Sequence, residues 1–204
     1  MSCAHAHDCA DERCESRSLH PFVDRDGVVG YNVQDDARAR DAVRPWSERR
    51  ARDGAQCPLT SDVGQEIVIV IPFMRDVAIT GISAYGGLAG KAPRTMQAYA
   101  NRRDVDATNA ARKTPTQEWE LARDDECVVE YATDQVLWRT VTSVTLYFPK
   151  NFRDDGETEV WFIGLRGEAA ERPRQGAVIA VYESRGQRKD HEVPEDERAM
   201  RFGV

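Results

Sequence analysis

Thr158-Glu159-Val160-Trp161-Phe162-Ile163-Gly164-Leu165-Arg166-Gly167-Glu168 is the stretch that decides the fold. From Val160 to Leu165 every position is apolar or glycine, so a strand here needs cover on both of its faces. That predicts a central strand inside a sandwich. Val160, Phe162 and Leu165 cannot share one face at a strict period of two, and Gly164 is where a bulge or close backbone approach is expected. Gly167 is then expected to release the chain into the polar segment from Glu168 to Arg174.

On either side of this stretch, short β runs recur at the spacing of an all-β sandwich. In Glu66 to Ile71 every position after the first is β-branched, which suits a strand covered on both faces and ended by Pro72. Val77 to Tyr85 puts Val77, Ile79, Gly81, Ser83 and Tyr85 on one face and Ala78, Thr80, Ile82 and Ala84 on the other. Thr95 to Asn101, Gln117 to Leu121, Cys127 to Tyr131, Ser143 to Phe148 and Ala177 to Glu183 are further strands. Trp119 with Leu121, and Cys127 with Val129 and Tyr131, are expected to point inward. The count is about eight strands, and Val28 to Asn32 offers a short edge strand beside them. Asp35 to Ala42 offers one or two helical turns, Asp104 to Thr116 reads as a long exposed loop, and Trp46 after Pro45 as an anchor pinning a loop to the core.

The chain has 204 residues, enough for one domain with tails. Residues 1–18 and 186–204 are polar and charged and are expected to be flexible tails around a domain at 19–185. A formal charge of -7 argues against nonspecific binding to nucleic acid or an anionic membrane. The run Arg49-Arg50-Ala51-Arg52 reads as a solvated loop. No apolar run approaches the roughly 20 residues of a membrane helix, and the first residues lack a basic start and an apolar stretch, so no export signal is expected. Five cysteines, an odd number, then predict reduced thiols in an intracellular protein, cytoplasmic or nuclear.

Candidate chemistry concentrates at the N-terminus. Cys3, His5, His7, Cys9 and Cys14 supply enough soft and borderline ligands for zinc. Their spacing is unlike a paired CxxC ribbon, and the flanks lack apolar residues to close a metal mini-domain, so the expectation is no resident cofactor and opportunistic metal binding. Gly86-Gly87-Leu88-Ala89-Gly90-Lys91 fails the phosphate-loop spacing and reads as a connecting loop. His20 and His191 lie in polar segments, Cys57 and Cys127 have no CxxC partner, and Cys127 reads as a small core residue; no catalytic constellation is expected.

Several segments together resemble the PITH domain family, named for proteasome-interacting thioredoxin-like proteins. They are Leu19 to Asp24 (LHPFVD), Arg44 to Arg49 (RPWSER), Leu59 to Asp62 (LTSD), Ile71 to Phe73 (IPF), Glu130 to Thr133 (EYAT), Lys150 to Phe152 (KNF), Thr158 to Glu168 and Val181 to Glu183 (VYE). The resemblance implies a jelly-roll β-sandwich similar to galactose-binding-like domains, and association with the 26S proteasome. About 18 residues precede the matching region and hold no CxxC pair, so the plan looks like a stand-alone PITH protein rather than a disulfide oxidoreductase. The expected function is a non-catalytic interaction module. Asn151, Phe152, Arg166, Glu168, His191, Arg201 and Phe202 are its candidate partner-binding residues, the last two forming an aromatic and cationic anchor. A small-ligand receptor using the mouth of the sandwich, or a metal-binding protein using the N-terminal tail, is the alternative.

Overall fold

Ile67–Gly86 is one unbroken strand of 20 residues. The computed structural model describes residues 17–51, 57–124 and 127–171. The chain divides into two units, Met1–Arg174 and Gln175–Val204, and every described residue belongs to the first. Among the described residues the strands are β1 (Val29–Tyr31), β2 (Leu59–Thr60), β3 (Ile67–Gly86), β4 (Thr95–Ala100), β5 (Gln117–Glu120), β6 (Tyr131–Ala132), β7 (Val141–Phe148) and β8 (Glu159–Ala169). The α-helix among the described residues, α1 (Asp36–Ala42), is capped by the Asp35 carboxylate, which accepts from the Ala37 amide at 2.9 Å. The expected strand at Ala177 to Glu183 lies outside the described residues.

The architecture is an all-β antiparallel sandwich, and β3 belongs to both of its sheets. Its first half, Ile67 to Pro72, lies between β1 and β7; its second half, Val77 to Gly86, lies beside β8 and, at Gly81 and Ile82, β6. β4 and β5 extend the first sheet and β2 flanks β8 in the second. Pro72 therefore does not end the strand. It pairs with Ser143, register with β7 resumes at Val77 opposite Val141, and the residues between form a bulge. A proline without an N–H is tolerated where the ladder is already interrupted, and the bulge lets the strand cross from one sheet to the other.

Two further bulges correct the expected alternation. Ile79 pairs with Gly167 and Gly81 with Arg166, leaving Thr80 as the extra residue on β3. Val77 and Ile79 consequently share the core with Ile82 and Ala84, while Gly81, Ser83 and Tyr85 turn to the outer face. On β8, Val160 pairs with Gly86 and Phe162 with Tyr85, so the bulge falls at Trp161 and not at Gly164. Val160, Ile163 and Leu165 enter the main core, and Phe162 stacks on Tyr85 on the opposite face at 5.3 Å between centroids. Each such fully buried side chain contributes about 1.5–3 kcal/mol.

That outer face is covered, as a strand apolar on both sides requires. Trp46 packs on Tyr85 and Phe162, the anchor role expected for it. Arg44 donates to the carbonyl of Trp161, the bulge residue, and Arg49 lies over the Trp46 ring at 4.5 Å while its Nε donates to the Cys127 carbonyl at 3.2 Å. Arg49 is thus buried, not part of a solvated run. Cys127 is a core residue but not a strand residue: its φ is +58°, it joins Tyr85 and Phe162, and strand geometry begins only at Tyr131. Residues 104–116 are likewise pinned. Val105 and Ala110 are buried with Val68, Tyr99 and Tyr147, and the Tyr99 hydroxyl donates to the Ala110 carbonyl at 3.0 Å. Pairing also begins earlier than expected, with Ser18 bridged to Arg166 and the Gly167 amide donating to the Arg17 carbonyl at 2.9 Å.

Gly167 lies within β8, which runs on to Ala169, so it does not release the chain. A Cβ at this position would overlap the Ala78 carbonyl oxygen on β3. Gly167→Ala is therefore expected to destabilise the protein by about 3 kcal/mol or more, read as a lower urea midpoint at unchanged slope. An unshifted midpoint would mean that the two strands are not so closely approached.

Candidate interaction site

Three connections meet at one end of the sandwich: residues 87–94 between β3 and β4, 121–124 after β5, and 149–158 between β7 and β8. Backbone hydrogen bonds lace them together. The amides of Phe152 and Arg153 donate to the carbonyls of Ala92 and Gly90, each at 3.1 Å, and the Arg94 and Leu121 amides donate to Lys150 and Arg94 at 2.8 and 2.7 Å. Within the first connection, Ala89 (φ +56°) and Gly90 (φ +82°) are the central residues of a tight turn closed by the Lys91 amide on the Leu88 carbonyl at 3.2 Å. Alanine in the left-handed region costs about 1–2 kcal/mol, a strain held in place by the lacing on both sides.

Asn151 organises the third connection. It is fully buried; its Nδ2 donates to the carbonyls of Asp155 and Glu157 at 2.9 and 3.1 Å, and its Oδ1 accepts from the Arg153 amide at 3.0 Å. Its own amide donates to Gln65 Oε1 at 3.1 Å. Asn151 itself meets no solvent; it shapes the turn that presents Phe152 and Arg153.

Those two residues, with Tyr85, Leu88, Pro93 and Arg123, help line a cavity of about 270 Å³. Leu88 is 59% exposed at its rim. The Arg123 guanidinium lies over the Phe152 ring at 4.9 Å and makes no hydrogen bond or ion pair with any described residue. Its neighbours are committed. Arg94 faces Asp154 at 3.5 Å, Arg153 faces Asp155 at 3.1 Å, and the Asp124 carboxylate accepts from the amides of Val128 and Val129, both at 2.7 Å. Lys91 Nζ donates to Glu159 at 2.7 Å, the bond that chiefly raises its pKa, so this ammonium is engaged rather than poised for a phosphate. Burial pushes the Tyr85 phenol well above its ordinary range, and it stays neutral while donating to the Val129 carbonyl at 3.1 Å.

Arg166 and Glu168 stand elsewhere, on the outer side of β8. Arg166 Nη1 pairs with Glu130 at 2.8 Å, both largely shielded, beside a pocket of about 20 Å³ bounded by Ser18, Trp46, Gly81 and Ser83. Glu168 is exposed. The structure thus brings Asn151 and Phe152 together, and leaves Arg166 and Glu168 apart from the end cavity. His191, Arg201 and Phe202, and the ligand set Cys3, His5, His7, Cys9 and Cys14, lie outside the described residues. Arg123, Leu88 and Arg153 escaped the sequence reading, because nothing local distinguishes them from other residues in polar turns. A third cavity, of about 280 Å³, has His20 and Cys57 in its lining with Arg25, Arg44 and Glu48, a juxtaposition that their separation along the chain concealed. Among the described residues, no group of three or more histidine, cysteine or acidic side chains could hold a metal, and no helix is long and apolar enough to cross a membrane.

With the sandwich and its end loops defined, the sequence matches the PITH domain over residues 9–186. The chain belongs to the PITH domain family. A PITH domain-containing protein of Drosophila melanogaster is 31% identical over 192 residues, 93% of this chain and 89% of that one. PITH domain-containing protein 1 of Homo sapiens is 31% identical over 205 residues, covering 95% of each chain. The corresponding Dictyostelium discoideum protein is 32% identical over 174 residues, 85% of this chain and 84% of that one. Among solved structures, two CBM32 domains of Clostridium perfringens ZmpB in complex with GalNAc align with a TM-score of 0.52 at 8% identity, over 77% of this chain and 38% of that one. The shared feature is the galactose-binding-like jelly-roll sandwich, as the family resemblance implied.

Two outcomes follow from these geometries. Replacing Asn151 by Ala is expected to cost about 2–3 kcal/mol, since the carbonyls of Asp155 and Glu157 and the Arg153 amide lose their partner. Asn151→Asp should cost at least as much, because it turns oxygen toward those two carbonyls; thermal unfolding of the three proteins reads both. His20 has its pKa lowered from 6.5, by burial first and by Arg25 second. Its folded-state pKa lies below its unfolded one, so its contribution is present above the unfolded pKa and lost as pH falls through the folded value. Stability measured by urea from about pH 7 to about pH 5 should therefore fall less steeply in His20→Gln than in the parent.

Proposed function

We propose that this PITH domain protein is a non-catalytic interaction module that associates with the 26S proteasome. Family membership supports the interaction role, and the proteasome is the partner that the family resemblance implies. The observation that carries the reading is the end of the sandwich, where a rigid scaffold presents an aromatic ring under a guanidinium, an exposed leucine and an open cavity. Aromatic and arginine side chains in such pockets are the groups that dominate interface energies, and rigid scaffolds place binding loops without an ordering cost. The second reading, a small-ligand receptor, has the same cavity in its favour, but tryptophan is not among the lining residues and Phe152 lies beneath Arg123.

Tagged full-length protein should recover proteasome subunits from cell lysate at physiological salt. Phe152→Ala should weaken that recovery, and parallel deletions of 1–18 and 191–204 should report what the terminal segments add. Failure of the full-length protein to recover any proteasome subunit would remove the proposal.

A further inference from the structure

We propose that Asp155 is a site of spontaneous isoaspartate formation, a backbone modification at the turn that presents Phe152 and Arg153. The modification is independent of which partner the protein binds. The chain holds three Asp-Gly dipeptides, at 26–27, 53–54 and 155–156, and the second lies outside the described residues. In such a pair a side-chain carboxyl meets the least hindered backbone nitrogen, because glycine has no Cβ. The step is a cyclisation. The Gly156 nitrogen attacks Asp155 Cγ, the new C–N bond replaces a C–O bond, and the amide proton leaves with the carboxyl's hydroxyl as one water. Water then opens the ring at the main-chain carbonyl of Asp155. That carbon becomes a free carboxylate, and the chain runs through Cβ and Cγ, longer by one atom. The mass is restored, and nothing is oxidised or reduced.

The two described dipeptides differ in what holds the nitrogen. The Gly27 amide donates to the Asp24 carbonyl at 3.1 Å in a 3-10 turn, and a Cβ there would meet Pro72 Cγ and Asp24 Oδ2, each at 2.8 Å. That nitrogen is engaged and its surroundings are filled. The Gly156 amide has no hydrogen bond among the described residues, its φ is +65°, and nothing lies within 4 Å of where a Cβ would stand. The ring therefore has room to close. The Asp155 side chain is 68% exposed and pairs with Arg153 at 3.1 Å, an exposed contact too weak to keep the carboxyl from its own backbone. Asn151 is the counterweight. Its Nδ2 bonds the carbonyls of Asp155 and Glu157, one on each side of the link that changes, at 2.9 and 3.1 Å. Intact, these bonds slow closure by restraining the turn; after the link lengthens, Asn151 cannot hold both carbonyls in the same register. The change then reaches Phe152 and Arg153, because Asn151 Oδ1 also accepts from the Arg153 amide.

The test ages the full chain, isotope-labelled, near neutral pH at body temperature, and maps its peptides by electron-transfer fragmentation, which separates isoaspartate from aspartate at equal mass. Isoaspartate should accumulate at residue 155 several-fold faster than at residue 26. In urea the two sites should react at similar rates, since the contrast belongs to the fold. Amide resonances of residues 151–157 should split into old and new sets in the proportion that the peptides give. Asn151→Ala should speed the reaction several-fold; should that variant fail to fold, Asp155→Asn reads ring closure in the intact turn, reacting faster than the parent with loss of ammonia. Asp155→Glu, which would need a larger ring, should stay unmodified at this position. Accumulation at residue 155 no faster than at residue 26, the same ratio of the two rates in urea as in the folded chain, or modification that leaves the Phe152 and Arg153 resonances in place would each overturn the inference.

Discussion

One strand shared by two sheets is the constraint on which the rest of the molecule depends. Backbone groups inside a sandwich must be paired on both edges of a strand, because an unpaired buried amide costs as much as a lost hydrogen bond. β3 meets that demand twice, with β1 and β7 along its first half and with β8 and β6 along its second. The bulge after Pro72 re-aims the strand, and those at Thr80 and Trp161 re-aim its side chains, so that residues spaced at odd intervals can all reach one core. These are positional solutions to a period of exact two that the apolar pattern does not obey.

The outer face of β3 and β8 shows how tertiary cover completes such a strand. Phe162 and Tyr85 would present a large apolar patch to water if the segment from Arg44 to Arg49 did not fold over them. Trp46 supplies the area, and Arg44 and Arg49 reach past it to backbone carbonyls at Trp161 and Cys127. Charged side chains are tolerated there because each donates to backbone carbonyls, and Arg49 also lies over the Trp46 ring. The same logic, a guanidinium lying on an aromatic ring, recurs at Arg123 and Phe152, where the guanidinium makes no hydrogen bond or ion pair with a described residue. The first arrangement covers the outer face of β3 and β8, and the second lies at the end cavity.

Asn151 illustrates how a residue important to a site need not touch what the site binds. Its amide holds the turn after β7 through three short contacts, and Phe152 and Arg153 are presented as a result. The Lys150 to Phe152 motif puts Asn151 and Phe152 together as candidate partner-binding residues. Burial and hydrogen bonding separate the two roles. Arg166 and Glu168, adjacent to them in motif terms, belong to a different face, where Arg166 and Glu130 tie β8 to the segment before β6.

By itself the sequence determined the fold class, because β-branched and alternating runs are local signals: β1, β4, β5, β7 and β8 lie close to where their patterns put them, and the motifs from Leu19 to Glu168 carried the family. It also located the helix, since Asp35 ahead of an alanine-containing stretch is a cap that acts within one turn. Only the tertiary structure decided that two apparent strands around Pro72 are one, that residues 104–116 are anchored, and that Cys127 lies off any strand. Likewise, nothing local brought Leu88, Arg123 and Phe152 to one cavity, or His20 and Cys57 to another. Those facts depend on contacts between residues distant along the chain, and a bulge changes the facing of every later residue by a backbone adjustment that leaves no mark in composition or period.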